Sequence, residues 1–255
     1  MINQTSSTDQ KPISVKIKPL PYPLNILKYY LKDYIPPKKS FDPNGKWENK
    51  YKMFSLASGR AGHAGTLIFK RKLLSKSEAF IELNFDKAGI NRNWQKVNAK
   101  MKFKTDLLSS PVKWQYEAKM TNPKGGVIKN TEIKEYAIND NNEINFVWND
   151  KRKKIITSRN IALNWLLFDA VQRMPRKDFG GTAFTLIDHF DQPKPNNKIT
   201  FRDEIEINVA KGEILKLFTY KQLGTGILPI VYYVDKYGRL LFVVSGIEAY
   251  GLVNS

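Results

Sequence analysis

The stretch that decides the fold runs from Leu228 to Val253 and reads LPIVYYVDKYGRLLFVVSGIEAYGLV. Two apolar runs in it, Ile230–Val234 and Leu240–Val244, are rich in the β-branched and aromatic residues that favour strands. The polar connection DKYGR lies between them, and Gly238 supplies the residue type that tolerates a positive φ in a tight turn. The sequence therefore predicts that the chain ends in an antiparallel hairpin.

Upstream of this hairpin, apolar and polar residues alternate with a period of two. The alternation is clearest in residues 101–104 (MKFK) and 114–117 (WQYE), and it continues through Tyr136, Ile138 and Trp148, with Gly, Asn and Ser clusters between the runs. Such alternation predicts strands that have one covered face and one solvated face. Successive strands without regular intervening helices favour a large antiparallel sheet and argue against a parallel one.

One segment breaks the alternation. Ile161–Met174 (IALNWLLFDAVQRM) is apolar on most faces, which predicts a buried helix that ends before Pro175. Asp169 and Arg173 lie four residues apart on it, a spacing that predicts an ion pair within the helix. We therefore predict a mainly β fold, in which a large curved antiparallel sheet, a half-barrel or barrel, packs around one buried α-helix.

The first 44 residues have a different character. The composition of residues 1–20 predicts a flexible arm with a short edge strand at 13–17. Leu24–Ile35 has apolar residues at helical spacing, which predicts a short helix that ends before Pro36. A short amphipathic helix lying on the domain is the simpler interpretation, and a helix on a membrane surface is the alternative. We thus predict an N-terminal arm with a short helix (1–44) and a single antiparallel β half-barrel domain (45–255).

Composition excludes several kinds of chemistry. The chain has no cysteine, which excludes disulfides, thiolate metal sites and cysteine nucleophiles. It has two histidines, His63 and His189, so sites built from several histidines are excluded as well. It also lacks a phosphate-binding loop and the Gly-x-Ser-x-Gly nucleophile turn of many hydrolases. The sequence therefore predicts no metal and no cofactor, and it favours a non-enzymatic role.

Charge points towards acidic partners. The formal net charge is +18, and Lys11–Phe80 alone holds fifteen basic and four acidic residues. Such a surface suits acidic polysaccharide, an anionic membrane surface or nucleic acid. The absence of a helix-turn-helix or an RNA-binding aromatic motif argues against nucleic acid. The alternative is a protein that is basic throughout and has no polyanionic partner.

Two histidine-containing segments are chemically suggestive. In Asp188-His189-x-Asp191 a carboxylate could orient the imidazole as a general base. Neighbouring residues of a strand point to opposite faces, however, so a polar strand end with a turn is the favoured interpretation. Residues 59–65 (GRAGHAG) predict a tight strand connection, and the functional alternative places Arg60 and His63 against a ligand.

The order of these elements resembles that of exported bacterial proteins with a lipoprotein-carrier-like β half-barrel, a domain of unknown function. The motifs that carry the resemblance are the glycine-rich 59–65, the hairpin at 149–154, and the closing pattern Leu228-Pro229-x-x-x-Tyr233-x-Asp235-x-x-Gly238-Arg239-Leu240. The resemblance implies a curved sheet around a helix, an apolar concavity suited to lipid, and export to the periplasm. Met1 is followed by polar residues rather than a signal sequence, so we expect a mature form and keep the cytoplasm as an alternative.

These observations lead to a first functional hypothesis. We expect a monomer that binds a hydrophobic or amphipathic ligand in the concave face, with an anionic head group at a basic rim. The residues expected to line the cavity are Trp148, Trp165, Phe168, Tyr232 and Tyr233. The residues expected near its mouth are Arg60, His63 and Gln222, and His189 and Asp191 are further candidate ligand-binding residues. One alternative is binding or cleavage of acidic polysaccharide at the cell surface, and another is cytoplasmic binding of nucleic acid.

Overall fold

A computed structural model of the protein describes residues 20–55, 62–89, 92–141, 143–148, 151–157 and 160–253. Arg60 and the edge strand expected at 13–17 lie outside the described residues. Within these ranges, no helix has the length and apolar character needed to cross a bilayer.

The described residues form fifteen strands and two short α-helices. A 3₁₀ turn (Leu24–Leu27) leads into α1 (Lys28–Lys32), α2 spans Leu167–Arg173, and a second 3₁₀ turn spans Ala210–Gly212. In chain order the strands are β1 (Trp47–Ser55), β2 (Gly62–Leu73), β3 (Glu78–Ala88), β4 (Trp94–Lys104), β5 (Pro111–Thr121), β6 (Ile133–Asp140), β7 (Glu143–Trp148), β8 (Lys151–Ile156), β9 (Ile161–Leu163), β10 (Thr182–Asp188), β11 (Gln192–Asn208), β12 (Ile214–Leu223), β13 (Ile230–Asp235), β14 (Leu240–Val244) and β15 (Glu248–Leu252).

All fifteen strands belong to one sheet, which consists of two meanders. β1 to β8 follow one another across one half, β15 back to β9 follow one another across the other, and β1 pairs with β15 at the centre. Every neighbouring pair is antiparallel except β9 and β10. The predicted mainly β fold is confirmed, and so is the final hairpin, in which Gly238 has a φ of 92° between β13 and β14.

The two outermost strands lie close together, so the sheet curves like a barrel. Ile156 ends β8 and Ile161 begins β9, and a chain of this length can separate the two ends by at most about 18 Å. Just beyond β8, the Thr157 hydroxyl oxygen lies 2.9 Å from that of Thr185 on β10. This contact joins the chain just after one edge strand to β10, the neighbour of the other edge strand, β9.

The N-terminal segment covers the outer face of the C-terminal strands. Leu24, Leu27 and Leu31 are fully buried there, as expected for an amphipathic helix lying on the domain. Tyr30 donates a hydrogen bond to the carbonyl of Leu252 at 2.6 Å, and a Cβ on Gly251 would lie only 2.3 Å from the Tyr30 ring. The regular helix is shorter than predicted, because a 3₁₀ turn replaces its first turn.

The long buried helix predicted at Ile161–Met174 is wrong over its first six residues. Ile161–Leu163 forms β9, and α2 begins only at Leu167. The backbone explains the difference, because Asn164 donates to the carbonyl of Ile187 at 3.2 Å and Thr185 donates to that of Asn160 at 2.8 Å. These bonds satisfy the peptide groups of a buried apolar segment without a helix. The predicted burial is confirmed on the inner side of the sheet, where Leu167 and Val171 are fully buried.

A buried ion cluster holds α2 in place. Arg71 on β2 donates through Nε to Oδ1 of Asp169 at 2.7 Å, and both side chains are fully shielded from solvent. The other carboxylate oxygen, Oδ2, accepts from Ser109 Oγ and from Arg173 Nη2, each at 2.7 Å. The predicted pair of Asp169 with Arg173 is therefore confirmed, and it forms part of a larger network.

The same two arginines fasten loops onto this cluster. Arg71 Nη1 donates to the carbonyls of Asn44 and Gly45, at 2.5 and 2.6 Å, in the segment that leads into β1. Arg173 Nη1 donates to the carbonyl of Thr105 at 2.9 Å, in the connection between β4 and β5. Asp169 is thus the point at which helix, sheet and two loops are joined.

Replacing Asp169 with asparagine should destabilise the protein by about 3–5 kcal/mol, because the change leaves Arg71 buried without its counter-charge. Urea unfolding measures the difference. The matched control is Glu78→Gln, which breaks the partly exposed pair with Lys102 and should cost less than about 1 kcal/mol. Equal losses for the two variants would show that the Asp169 cluster does not hold the fold together.

Candidate functional site

A cavity opens where α2 begins, at one end of the barrel-like sheet. We call it the mouth cavity. Its C-terminal lobe, of about 400 Å³, is lined mainly by residues around the start of α2 and by β13 to β15. Its N-terminal lobe, of about 270 Å³, is lined by residues of β3 to β6 and of the β10–β11 turn. Both lobes are lined by Lys87, Trp165, His189 and Glu248, so they adjoin one another. Four separate segments meet there: the end of β3, the turn before α2, the β10–β11 turn and the start of β15.

Trp165 is the side chain around which the two lobes are arranged. It lies in the turn between β9 and α2 and is only 5% exposed. Its ring centroid is 5.6 Å from that of Phe85, 5.9 Å from Phe168 and 6.5 Å from Tyr250. Aromatic side chains from β3, α2 and β15 therefore fix the indole in one position.

Two polar atoms at this position have no partner. The Trp165 indole N–H and the Asn164 side-chain oxygen are both buried, and neither makes a hydrogen bond with the described residues. A buried polar group without a hydrogen bond costs free energy. Both residues contribute to the wall of the C-terminal lobe.

Apolar residues of two loops form the lip of the C-terminal lobe. Leu228 is 48% exposed and Ile247 is 57% exposed, and a Cβ on Gly246 would lie 2.8 Å from a methyl group of Leu228. The β12–β13 loop and the β14–β15 turn therefore contact each other across the lobe. Together with Ile227, Ile230 and Val243, they give this lobe apolar walls.

The Asp188–Asp191 segment forms a tight turn at the opposite side of the opening. His189 and Phe190 have positive φ angles of 47° and 77°, and the Asp191 N–H donates to the carbonyl of Asp188 at 3.3 Å. The His189 Nε2 to Asp188 Oδ1 distance is 3.9 Å, which exceeds a hydrogen bond. The Asp188–Asp191 segment is therefore a polar turn at the end of a strand, which is the interpretation that the sequence favoured over a general base oriented by a carboxylate.

Lys87 and Glu248 form an ion pair between the lobes, and Tyr250 also donates to Glu248 at 2.7 Å. Burial alone would raise the pKa of Glu248, but these two hydrogen bonds outweigh it and hold the pKa below its usual value. The lysine is thus neutralised by its own partner.

The charged groups of the mouth cavity are mostly acidic. Asp188, Asp191 and Glu248 line it, against the single cation Lys87. The expectation of a basic rim is therefore wrong at this opening, although the whole chain carries a net charge of +18. The excess of lysines lies on other surfaces, because strand alternation sends them outward.

A second carboxylate lies beneath the N-terminal lobe. Glu135 on β6 is only 5% exposed and pairs in register with Tyr116, which lines that lobe. Burial first, and the nearby charge of Asp191 second, raise the pKa of Glu135 to about 8, although Lys153 partly offsets them. One of its carboxyl oxygens has no hydrogen-bond partner among the described residues.

Five of the predicted site residues meet at the mouth cavity. They are Trp165, Phe168, His189, Asp191 and Tyr232. Their role in binding stays a prediction.

The other predicted site residues lie elsewhere. Gln222, expected at the mouth, is fully buried and accepts a hydrogen bond from the Tyr232 hydroxyl at 2.8 Å. Tyr233 pairs with Phe242, whose ring packs against Tyr34, so it faces the outer side beneath the N-terminal segment. Adjacent residues of one strand point to opposite faces, so Tyr232 and Tyr233 cannot both line the cavity.

Trp148 and His63 do not line the mouth cavity either. Trp148 ends β7 and is 45% exposed, with the Lys151 ammonium 5.5 Å from its ring centroid. His63 is an exposed residue at the start of β2, opposite Phe54.

Sequence reasoning missed several residues that line the cavity: Lys87, Tyr116, Asn164, Phe190 and Glu248. It also missed the burial of Glu135, which lines neither lobe. The alternation of β6 predicts that Tyr136 and Ile138 face inward, yet these two side chains are 38% and 41% exposed. The register with β5 decides the matter, because it places Glu135 opposite Tyr116.

A larger groove, of about 760 Å³, runs over the outer face of β3–β7. Outward-pointing side chains such as Glu82, Lys100, Gln115 and Lys134 line it. Several of them already have partners, including Lys134 with Glu117 at 3.2 Å. The mouth cavity is the stronger candidate for a small ligand, because it combines apolar walls with buried polar atoms that lack partners.

Comparison with known proteins bears on the fold. No protein-family model matches the chain, and no curated protein does. The structure is similar to a beta-barrel-like protein of the domain of unknown function DUF1849 from Brucella abortus, with a TM-score of 0.53 and 10% identity over 83% of this chain and 97% of that chain. A DUF1089 family protein from Pseudomonas aeruginosa, with a TM-score of 0.38 and 10% identity, covers 82% of this chain and 94% of its own. The fold is thus that of a β-barrel-like domain, as the resemblance implied, while export and lipid carriage stay predictions.

The raised pKa of Glu135 should make stability depend on pH. The ordinary value is 4.5 and the folded value is about 8, so between them the folded protein keeps a proton that the unfolded chain releases. As pH rises through this window, the free energy of unfolding of the wild type should therefore fall by a few kcal/mol relative to that of Glu135→Gln. The magnitude follows because each unit of pKa shift corresponds to ~1.4 kcal/mol. Urea unfolding of both proteins across the window measures it, with Glu117→Gln, an exposed carboxyl on the outer face of β5, as the control. Parallel curves for wild type and Glu135→Gln would contradict the assignment.

Proposed function

We propose that the protein is a non-enzymatic binding protein that holds a small amphipathic molecule in the mouth cavity. The observation that carries the proposal is the unpartnered indole N–H of Trp165, buried beside a lobe that combines a large apolar wall with a few charged side chains. An apolar wall provides affinity through burial, and a single fixed donor orients the bound molecule.

The size of the cavity supports a small ligand. The two lobes, of about 400 and 270 Å³, together lie in the range typical of small-molecule sites. The rest of the concave side is filled by α2, where Leu167, Ala170 and Val171 are fully buried. A molecule with one short apolar chain fits this space better than a lipid with several long chains would.

The arrangement of side chains supports binding rather than catalysis. His189 has no carboxylate within hydrogen-bond distance in the described structure, and Lys87 is held by Glu248. A carboxylate orients an imidazole for general-base work by accepting its hydrogen bond, and at 3.9 Å Asp188 makes no such bond with His189. The cavity therefore offers walls and fixed polar atoms, with no activated nucleophile among the residues that line it.

An acidic residue in the lip should weaken the binding of a neutral apolar probe. We expect N-phenyl-1-naphthylamine to bind wild-type protein saturably, and Ile247→Asp to raise its Kd about tenfold, because the change puts a charge on an apolar wall. Fluorescence titration measures both constants. Ile214→Asp is the matched control, since Ile214 is 65% exposed on β12 and does not line the cavity. No saturable binding, or equal losses in the two variants, would overturn the proposal.

A second candidate function, binding of acidic polysaccharide, has support on the outer face of the N-terminal half. Lys96, Lys100 and Lys104 on β4 and Lys113 and Lys119 on β5 form no ion pair with the described residues. Their register places Lys96 directly opposite Lys119, so two of the unpaired positive charges are neighbours across the strands. Such a face attracts a long polyanion in a manner that salt weakens.

Charge reversal on this face should reduce retention by an acidic polysaccharide. We expect Lys100→Glu/Lys113→Glu to elute from immobilised alginate at a clearly lower salt concentration than wild type. The control Lys177→Glu/Lys236→Glu makes the same change in net charge at exposed residues outside the outer groove. If both double variants shift equally, net charge alone would explain retention and this second candidate would fall.

A further inference from the structure

We propose that the groove of about 760 Å³ on the outer face of β3–β7 holds a chain of uronic acid sugars that lies across the strands. Exposed amide side chains would bind the sugar hydroxyl groups, and lysines beside the groove would bind the carboxylates. The inference rests on the second candidate function, binding of acidic polysaccharide, which it deepens by naming the site and the groups that recognise the sugar.

Two rows of outward-pointing side chains form the walls of the groove. The first row consists of successive cross-strand partners on β3 to β7: Glu82, Lys100, Gln115, Tyr136 and Val147. The second row consists of partners on β3 to β6: Asn84, Asn98, Glu117 and Lys134. Members of the two rows on one strand are two residues apart, so the walls stand about 7 Å apart, and five strands make the groove about 19 Å long. A single extended polymer chain fits these dimensions.

The floor of the groove is main chain. Leu83, Ala99, Tyr116 and Glu135 lie between the two rows, and their buried side chains point to the inner face of the sheet. Their strands, β3 to β6, each have a neighbour on both sides. A peptide therefore cannot join the sheet here as an added strand, because that mode of binding needs a free edge. Recognition falls to the side chains of the walls.

Three amide side chains in the walls are available to an incoming group. Asn84, Asn98 and Gln115 are exposed, and none of them makes a side-chain hydrogen bond with a described residue. An amide both donates and accepts hydrogen bonds, and a sugar hydroxyl does the same. Tyr136, which is 38% exposed, adds a ring whose apolar face suits the C–H face of a sugar.

The charges of the walls largely cancel one another. Glu117 pairs with Lys134 at 3.2 Å, and Glu82 pairs with Lys72 at 3.5 Å. Lys100 is the lysine of the walls that has no ion pair with the described residues. A nucleic acid strand would bring a phosphate on every unit past the two glutamates, so this groove suits a chain that is rich in hydroxyl groups and carries spaced charges.

Unpaired lysines lie just outside both walls. Lys113 on β5 is outside the first row, two residues from Gln115. Lys96 and Lys119, which are cross-strand partners, are outside the second row. Carboxylates that project from either side of a sugar chain in the groove would therefore each meet a positive charge. Hydroxyl groups in the groove and carboxylates at its sides are the chemistry of a polyuronate.

The test compares three probes: an alginate hexasaccharide, a hexaglutamate peptide with blocked ends, and cellohexaose. The peptide carries the same number of carboxylates without sugar hydroxyls, and cellohexaose carries the hydroxyls without carboxylates. Isothermal titration should give the alginate hexasaccharide a Kd about tenfold lower than that of either other probe, because only this probe uses both sets of contacts.

The double variant Asn98→Ala/Gln115→Ala isolates the amides. It should raise the Kd of the alginate hexasaccharide about tenfold and leave that of hexaglutamate unchanged, because it removes hydrogen bonds without altering charge. Asn25→Ala/Asn208→Ala is the matched control, since it removes two exposed amides outside the groove. All four positions are exposed, and circular dichroism verifies that both variants are folded.

The outcomes separate this inference from the candidate function on which it rests. Equal Kd values for the hexasaccharide and hexaglutamate, or equal effects of the two double variants, would overturn sugar recognition in the groove and leave a face that attracts polyanions by charge alone. Tighter binding of hexaglutamate would overturn it in favour of an acidic peptide, and tighter binding of cellohexaose would overturn the role given to the lysines. No binding of the hexasaccharide, with retention on immobilised alginate, would overturn the groove alone. No binding and no retention would overturn both.

Discussion

The buried ion pair between Arg71 and Asp169 is the constraint on which the rest of the structure depends. A helix of seven residues has little stability in water, so α2 exists only because the sheet holds it. Asp169 has no exposure, and it is satisfied only when Arg71, Arg173 and Ser109 all reach it. This requirement fixes the rotation of α2, and with it the positions of Trp165 and Phe168 at the base of the mouth cavity.

The same constraint links the site to distant parts of the chain. Arg71 reaches the loop before β1, and Arg173 reaches the connection between β4 and β5. Gln172, the residue before Arg173, accepts from the N–H of Leu240 at 3.2 Å and so joins the helix to β14. The cavity is therefore built on a rigid base, while its lip consists of two exposed loops.

Much of the fold could be predicted from the sequence, because period-two alternation is a local property and a sheet depends on it. The final hairpin is the clearest case, since turn chemistry at Gly238 and apolar runs on both sides agree. The misplaced start of the buried helix has a different origin. Ile161–Leu163 is equally apolar as helix or strand, and only the neighbouring β10, which supplies backbone partners, selects the strand.

The candidate site was predictable only in part, because it is assembled from segments far apart in the chain. Trp165 and Phe168 follow from burial, but Lys87 and Glu248 meet only through the folded sheet. Tyr233 and Gln222 do not line the cavity, because the sequence of one strand does not reveal which of its faces points into the barrel or which residues pack against it. The burial of Glu135 follows only from the folded sheet, in which the pairing with β5 places it opposite Tyr116.

The pairing of β1 with β15 has a consequence for biosynthesis. The first strand of the domain pairs with β15, Glu248–Leu252, so the centre of the sheet stays open until β15 has been synthesised. Local hairpins from β1 to β8 can form on the ribosome, but one edge of β1 remains a free template for other strands during that time. A chain that stops before Glu248 would leave two half-sheets with unpaired edges, and such a chain is prone to aggregate.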